Sequence, residues 1–307
     1  MVLDCLGTKK PPFSQGSLFN FRKRLIEQNL DVRLLEQTVE VARKTKKFDY
    51  KKLPETLRVA VDSRPLVGAG RVEDTINLIG RAAKKVAKSA AQILGIGVEK
   101  VCEKSKAPAL LAPSIKSGLD LDWNDSGQKA SGLQALYDQV ERLKGWVRKQ
   151  MSPSHQGTTG QLDRDIRLLN EIQEQDVQTE ADGRVTMKQG VAPDRIVSVN
   201  DPEMRHGRKS KSKKFNGYKE HVAADLDSKL ILAVAVTPAN RPEDEAAAPL
   251  LEQLSKHSRP MGSIHVDRAY INSELIDAVV DAEGEVLCKP WKGRNVDPGL
   301  YLSLIHI

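Results

Sequence analysis

Phe215-Asn-Gly-Tyr-Lys-Glu-His-Val-Ala-Ala224, followed by Lys229-Leu-Ile-Leu-Ala-Val-Ala-Val236, decides the fold of this 307-residue chain. Both runs have strand composition, and Asp227-Ser228 between them is a tight-turn pair, so the spacing predicts an antiparallel hairpin. Downstream, strand and helix alternate. Thr237-Pro-Ala-Asn240 leaves the second strand. Pro242 opens a helix with Glu243, Asp244 and Glu245 in its first turn, where the helix dipole favours acids. Ala247, Leu250, Leu251 and Leu254 form its buried stripe. Ser263 to Val266 reads as a strand running into Asp267. Asn272 is expected to cap another helix, with Leu275, Ala278, Val279 and Ala282 inward and Gly284 as its stop. Glu285 to Cys288 reads as one more strand.

Upstream, Leu57 to Val61 reads as a buried strand running directly into Asp62. A long helical stretch separates it from the hairpin. Ala83, Val86, Ala87 and Ala90 recur at helical spacing, as do Leu133, Leu136, Val140 and Leu143. Residues 152–160 read as a polar loop, and helix resumes over Leu162 to Gln175. Residues 13–48 read as two helices. Leu18, Phe21 and Leu25 mark the first, with Arg22, Lys23 and Arg24 on its other side and Ser14 or Ser17 as cap. Asp31 is the expected cap of the second, whose stripe is Leu35, Val39 and Ala42. Its end carries Arg43, Lys44, Lys46 and Lys47, where cations suit the dipole. This order predicts a mixed α/β sheet with helices packed against it.

Composition narrows the function. The longest apolar run, Leu230 to Val236, is far short of the ~20 residues of a membrane helix. The chain shows no N-terminal signal pattern. Three scattered cysteines give neither a disulfide framework nor zinc-site spacing, which fits a reducing cytoplasm. The net charge is +7, and it is concentrated. Residues 1–53 carry 12 Lys/Arg against 6 Asp/Glu, and residues 205–221 carry 7 Lys/Arg against one Glu. The second patch comprises Arg205, Arg208, Lys209, Lys211, Lys213, Lys214 and Lys219. Two such patches point to a polyanion, most often nucleic acid, although a single one is as often a solvated basic loop. Aromatic residues make up only 4% of the chain. That argues against a single-strand binder built on stacked bases.

Asp62 and Asp267 each end a short apolar strand, and ligand sites gather at strand ends in sheets covered by helices. Two carboxylates there suit a divalent metal, since hard cations prefer carboxylate oxygen. A two-metal arrangement would clamp the oxygens of an in-line phosphoryl displacement. The plainer account stands beside it: Asp is a good turn residue and commonly ends strands. His221, on a strand, reads as a structural histidine. Gly68, Gly70 and Gly80 lack phosphate-loop spacing. Arg71, Glu73 and Asp74 suit either DNA contact or helix capping.

Several longer runs match a known pattern. Phe13-Ser-Gln-Gly-Ser-Leu-Phe-Asn-Phe-Arg-Lys-Arg-Leu-Ile26 resembles the InsH-like N-terminal domain of bacterial insertion-sequence transposases. Val59-Ala-Val-Asp-Ser-Arg-Pro-Leu-Val-Gly-Ala-Gly-Arg-Val-Glu-Asp-Thr75 resembles that family's first catalytic block. Ser198-Val-Asn-Asp-Pro-Glu-Met-Arg-His-Gly207 with Lys214-Phe-Asn-Gly-Tyr-Lys-Glu-His221 resembles the second. Val236-Thr-Pro-Ala-Asn240 and Val266-Asp-Arg-Ala-Tyr270 complete a resemblance spanning roughly residues 2–297.

The resemblance implies a DDE transposase with an RNase H-like core and a long helical insertion, about 76–197, after the first core strand. It implies a helical DNA-binding domain over 1–53 and a catalytic domain over 54–301. Asp62 and Asp267 become the first two acidic ligands of a two-metal Mg²⁺ or Mn²⁺ site. Water would attack a phosphodiester at the element's end, and the freed 3′-hydroxyl would attack target DNA. Double-stranded DNA, as terminal inverted repeats and target, is the implied partner, with a homodimer in the synaptic complex and no membrane. DNA contacts are expected from Arg22, Lys23, Arg24 and the second basic patch.

The sequence departs from the family in one respect: the third acid, a Glu on a helix well after Asp267, is not assignable. Glu274, Glu283 and Glu285 lie too close to Asp267. The ending Leu302-Ser-Leu-Ile-His-Ile307 resembles sequence from outside a gene. A fragment truncated at both ends is therefore expected. Two alternatives accompany the transposase reading: a catalytically inactive DNA-binding remnant, and a structural RNase H-like domain of a larger assembly.

Overall fold

The computed structural model describes residues 14–28, 30–45, 53–122, 124–151, 159–257 and 259–289. Residues 152–158 of the expected polar loop, the basic end at Lys46 and Lys47, and the unusual ending at 302–307 lie outside the described residues. The chain divides into two compact units. One, the sheet unit, holds the residues up to Arg64, Glu220–Thr237 and those from Arg241 on. The other, the helical unit, holds Pro65–Lys219 and Pro238–Asn240. The first two helices group with the sheet unit.

The sheet unit begins with α1 (Gln15–Glu27) and α2 (Leu30–Lys44). Ser14 caps α1, its Oγ accepting from the Ser17 N–H at 3.0 Å. Helix α2 starts one residue before Asp31, so Asp31 lies inside the helix and not at its cap. Val39 of the expected α2 stripe is buried, whereas Leu18 and Phe21 of α1 remain about half exposed.

The strands of the sheet are β1 (Leu57–Val67), β5 (Lys214–Asp225), β6 (Ile231–Pro238), β7 (Met261–Val266) and β8 (Glu285–Cys288). They lie in the order β6-β5-β1-β7-β8. β1, β7 and β8 run parallel. β5 runs antiparallel to β1: the Leu226 N–H bonds the Arg58 carbonyl, and the Gly68 N–H bonds the Asn216 carbonyl. This mixed sheet, with a hairpin on one side and two parallel strands on the other, is an RNase H-like arrangement. Its core joins Val59, Val61, Ala223, Leu232 and Ile264 to Leu250 and Leu254 of α8 (Ala247–Leu254) and Leu275 and Val279 of α9 (Glu274–Asp281).

Two helix ends differ from the sequence reading. Ser273, not Asn272, precedes α9. Its hydroxyl donates to the Tyr270 carbonyl at 2.6 Å, so the preceding turn occupies Asn272. After α9 the left-handed residue is Glu283 (φ 55°), while the Gly284 N–H closes the end on the Val279 carbonyl.

The helical unit is built on α3 (Thr75–Leu94), α4 (Val98–Lys104), α5 (Ile115–Gly118), α6 (Ser126–Gln150) and α7 (Gly160–Asp176). Asp74 caps α3 and Gly95 ends it in the left-handed region. Ala82, Ala83, Val86, Ala87 and Ala90 of α3 pack with Leu136, Val140, Leu143, Leu169 and Ile172. Three short strands depart from the sequence reading: β2 (Val177–Thr179) pairs β3 (Val185–Met187), and β4 (Arg205–Arg208) pairs the start of β5. Three- and four-residue strands are too short to show alternation, the signal on which strand reading rests.

Candidate active site

β1 and β7 determine where the two aspartates fall. Beyond a bulge at Leu57/Arg58 the register is Arg58↔Ser263, Val59↔Ile264 and Ala60↔His265. Two residues beyond the last of these pairs, Asp62 on β1 and Asp267 just past the end of β7 lie at the same end of the two adjacent strands, and the charges of both act on Tyr270. Val59 and Val61 point into the core, so strand alternation turns Asp62 outward, and Asp267 leaves its strand equally exposed. One carboxylate oxygen of each is fixed locally. The Ser63 N–H donates to Asp62 Oδ1 at 2.8 Å, and the Arg268 N–H to Asp267 Oδ1 at 2.7 Å. Neither carboxylate is in an ion pair among the described residues.

Behind this pair lies a buried polar chain. The Tyr270 hydroxyl shares a hydrogen bond with His221 Nδ1 at 2.6 Å, and His221 Nε2 another with Thr237 Oγ1 at 2.9 Å. His221 is therefore built into the core, as its strand position suggested. Burial pushes the Tyr270 hydroxyl far up. The charge of Glu243 pushes the same way, a Ser63 hydrogen bond opposes, and Asp62 and Asp267 add to the rise. Glu243, read from sequence only as a first-turn helix acid, is thus a third carboxylate acting on the same tyrosine. On β1, two residues past Asp62, Arg64 is held by Glu220 through two bonds of 3.0 Å. The Glu220 hydrogen bond and charge raise the Arg64 guanidinium.

The donor chemistry of Asp62 and Asp267 fits a hard divalent cation: adjacent, exposed carboxylate oxygens with no ion pair to a described cation. They make only part of a coordination sphere. Among the described residues, no group of three or more His, Cys, Asp or Glu side chains is placed to hold a metal.

The expected DNA contacts separate. Arg208, Lys209, Lys211, Lys213 and Lys214 are exposed along a hairpin from β4 to β5, closed by the Lys209 N–H on the Lys213 carbonyl. Lys219 is half-buried further along β5. Arg205 is committed inward, bonding Asp194 at 2.9 Å and the Pro202 carbonyl at 2.5 Å. Arg22, Lys23 and Arg24 are exposed on α1, with Lys23 3.7 Å from Glu27. The second quoted block also proves structural in part. Asp201 accepts from the Tyr218 hydroxyl and, at 3.2 Å, from the Ala69 N–H. Gly217 (φ 143°) has no room for a side chain, since a Cβ would lie 2.2 Å from the Gly68 nitrogen.

A family model, the transposase DDE domain, matches residues 184–298. The match takes in β3 to β8 and Asp267, with Asp62 upstream of it. It supports an insertion-sequence DDE transposase. No curated protein is similar enough to the chain to serve as a relative. No described helix is long and apolar enough to cross a membrane.

Proposed function

We propose that this chain, with its transposase DDE domain match over 184–298, handles DNA and cuts its strands at Asp62 and Asp267. The single observation that carries the reading is the β1–β7 register, which brings together two acids 205 residues apart in sequence. Transposase DDE domains generally use divalent metals. Asp62 and Asp267 would hold Mg²⁺ or Mn²⁺, which when bound supplies Lewis-acid stabilisation of the charged phosphoryl oxygens. The protein's own part is orientation. The Ser63 and Arg268 N–H groups fix one oxygen of each carboxylate and leave the other outside these bonds. The Tyr270–His221–Thr237 chain anchors the turn after Asp267 to β5 and β6. The exposed lysines of the β4–β5 hairpin supply phosphate contacts, which position DNA without reading its sequence.

The test is a strand-cleavage assay with Mg²⁺ on DNA carrying the element's ends. Asp62→Asn and Asp267→Asn keep shape but remove charge. Each should cut activity at least about 10²-fold, the scale on which one oriented electrostatic group acts. DNA binding should stay near wild type. Wild-type cleavage by either variant would show that the carboxylate pair is not the site.

A further inference from the structure

A cavity of about 490 Å³ lies within the helical unit; neither Asp62 nor Asp267 lines it, and it has no part in the cleavage reading. Its lining includes Arg71, Arg81, Lys84, Lys85, Lys88 and Lys116. Helix α3 supplies four of these. That helix is buried almost all round, and from Arg81 to Lys88 the positions left open are 81, 84, 85 and 88. Every one is a cation, at i, i+3, i+4 and i+7. Like charges at those spacings repel one another. The fold carries that cost on the one open face of its central helix.

The neutralising groups are too few. Glu73 pairs with Arg81 at 2.6 Å, and Asp74 with Lys116 at 3.0 Å. Lys84 and Lys85 turn instead to backbone carbonyls, Ala112 at 2.5 Å and Val199 at 2.7 Å. Arg71 and Lys88 stand exposed at the rim. Burial lowers the Lys84 ammonium, and the charge of Arg81 lowers it further. Six cations against two carboxylates, both already paired, make a seat for an anion.

The form of the seat selects the anion. The row from Arg81 to Lys88 is about 10 Å long at 1.5 Å per residue. Successive phosphates of one DNA strand lie further apart than their ~3.4 Å rise along the helix axis, so the row is long enough to meet more than one of them. The lining holds no aromatic ring, so it offers no platform for a stacked base. We propose that this cavity grips the phosphate backbone of DNA, as a second anchoring site separate from the carboxylate pair. The proposal rests on the DNA-handling reading of the chain.

The test is binding of the full chain to a labelled duplex of arbitrary sequence, titrated with salt. Arg71→Gln with Lys88→Gln alters only the exposed rim, so folding is not at stake. Lys84→Gln with Lys85→Gln alters the interior. Each pair should make the slope of log K against log salt shallower by about 0.9 for every phosphate no longer neutralised. Asp62→Asn should keep the wild-type slope, whatever it does to cleavage, so failure of the catalytic reading is scored separately. A wild-type slope in both double variants would overturn the proposal. So would a cavity that binds inorganic phosphate, an ability the variants lack, while DNA binding is unchanged.

Discussion

The acid edge of the sheet unit and the basic cavity of the helical unit are electrostatic opposites, built by opposite means. At the edge, strand register sets two carboxylates side by side, and no described cation pairs with either. In the cavity, helical periodicity aligns four cations, and the fold supplies paired carboxylates for only two of the six around it. In both places, charge of one sign exceeds the opposite charge paired with it. That surplus distinguishes these groups from the chain's many balanced ones. The contrast is clear beside the ion pairs that each unit buries: Asp225 with Arg259 in the sheet unit, and Asp176 with Arg195 in the helical unit.

Those buried pairs allow the largest test of the two-unit division. Asp225 is 1% exposed and accepts from Ser228 Oγ at 2.6 Å and from Arg259 at 3.2 Å. Asp176 takes Arg195 Nε at 2.8 Å and the Thr75 hydroxyl at 2.8 Å. Asp225→Ala and Asp176→Ala should each cost about 3–5 kcal/mol, because a buried guanidinium is left unpaired. Amide hydrogen exchange should show weakened protection in β5, β6 and α8 for the first variant and in α3 and α7 for the second. Weakening in both units from either change would break the division.

The sheet unit should also carry its own acid response. Burial pushes the Asp225 carboxyl up, but hydrogen bonds from Ser228 and Asp227 and the Arg259 charge outweigh it, leaving the group below its usual range. With the folded value below the unfolded one, its contribution is present above about pH 3.9 and is lost as pH falls through the folded value. Asp225→Asn should flatten the acid limb of the sheet unit's stability curve. An unchanged limb would mean that other carboxylates set it.

A smaller effect is expected behind the acid edge. Tyr270→Phe removes the hydroxyl that His221 Nδ1 meets and so breaks one buried hydrogen bond, at about 0.5–1.5 kcal/mol. Thermal melts should register that change, while cleavage should fall far less than in Asp62→Asn. Glu243→Gln separates the two roles open to that acid. If it lowers cleavage as much as Asp62→Asn does, Glu243 belongs with the pair and the acid edge is larger than drawn.

The sequence disclosed the acid edge far better than the cavity, for a physical reason. Each of Asp62 and Asp267 follows a short apolar run, and both signals are local, although β1 continues through Asp62 to Val67 and only Asp267 stands past a strand end. The hairpin at Asp227-Ser228 and the α8 and α9 stripes are equally local, so most of the RNase H-like order was legible. The cavity's residues come from 71–88, 113–116 and 199–200, and only packing gathers them. Within the Ala-rich run of α3 the apolar spacing marks the buried face and leaves its lysines without a reading. Arg205 illustrates the reverse. It shares its sequence patch with the hairpin lysines, but side-chain direction is invisible in a charge count, and its guanidinium bonds Asp194 and a carbonyl.

That last contrast gives the subtlest prediction, which separates surplus charge from spent charge within one patch. Lys209, Lys211, Lys213 and Lys214 are exposed on the β4–β5 hairpin, while the Arg205 side chain is 14% exposed. Changing the four lysines to Gln should flatten the salt slope of DNA binding by about 0.9 for each phosphate they neutralise, with little change in melting. Arg205→Gln should do the converse. It removes the bonds to Asp194 and to the Pro202 and Met204 carbonyls, so stability falls by about 1–3 kcal/mol while the salt slope holds. Measuring both variants by anisotropy and melting tests the distinction directly. If Arg205→Gln flattened the slope as a lysine change does, its internal bonds would have to open on DNA. Exposure in the free protein would then be no guide to which cations of this patch meet phosphate.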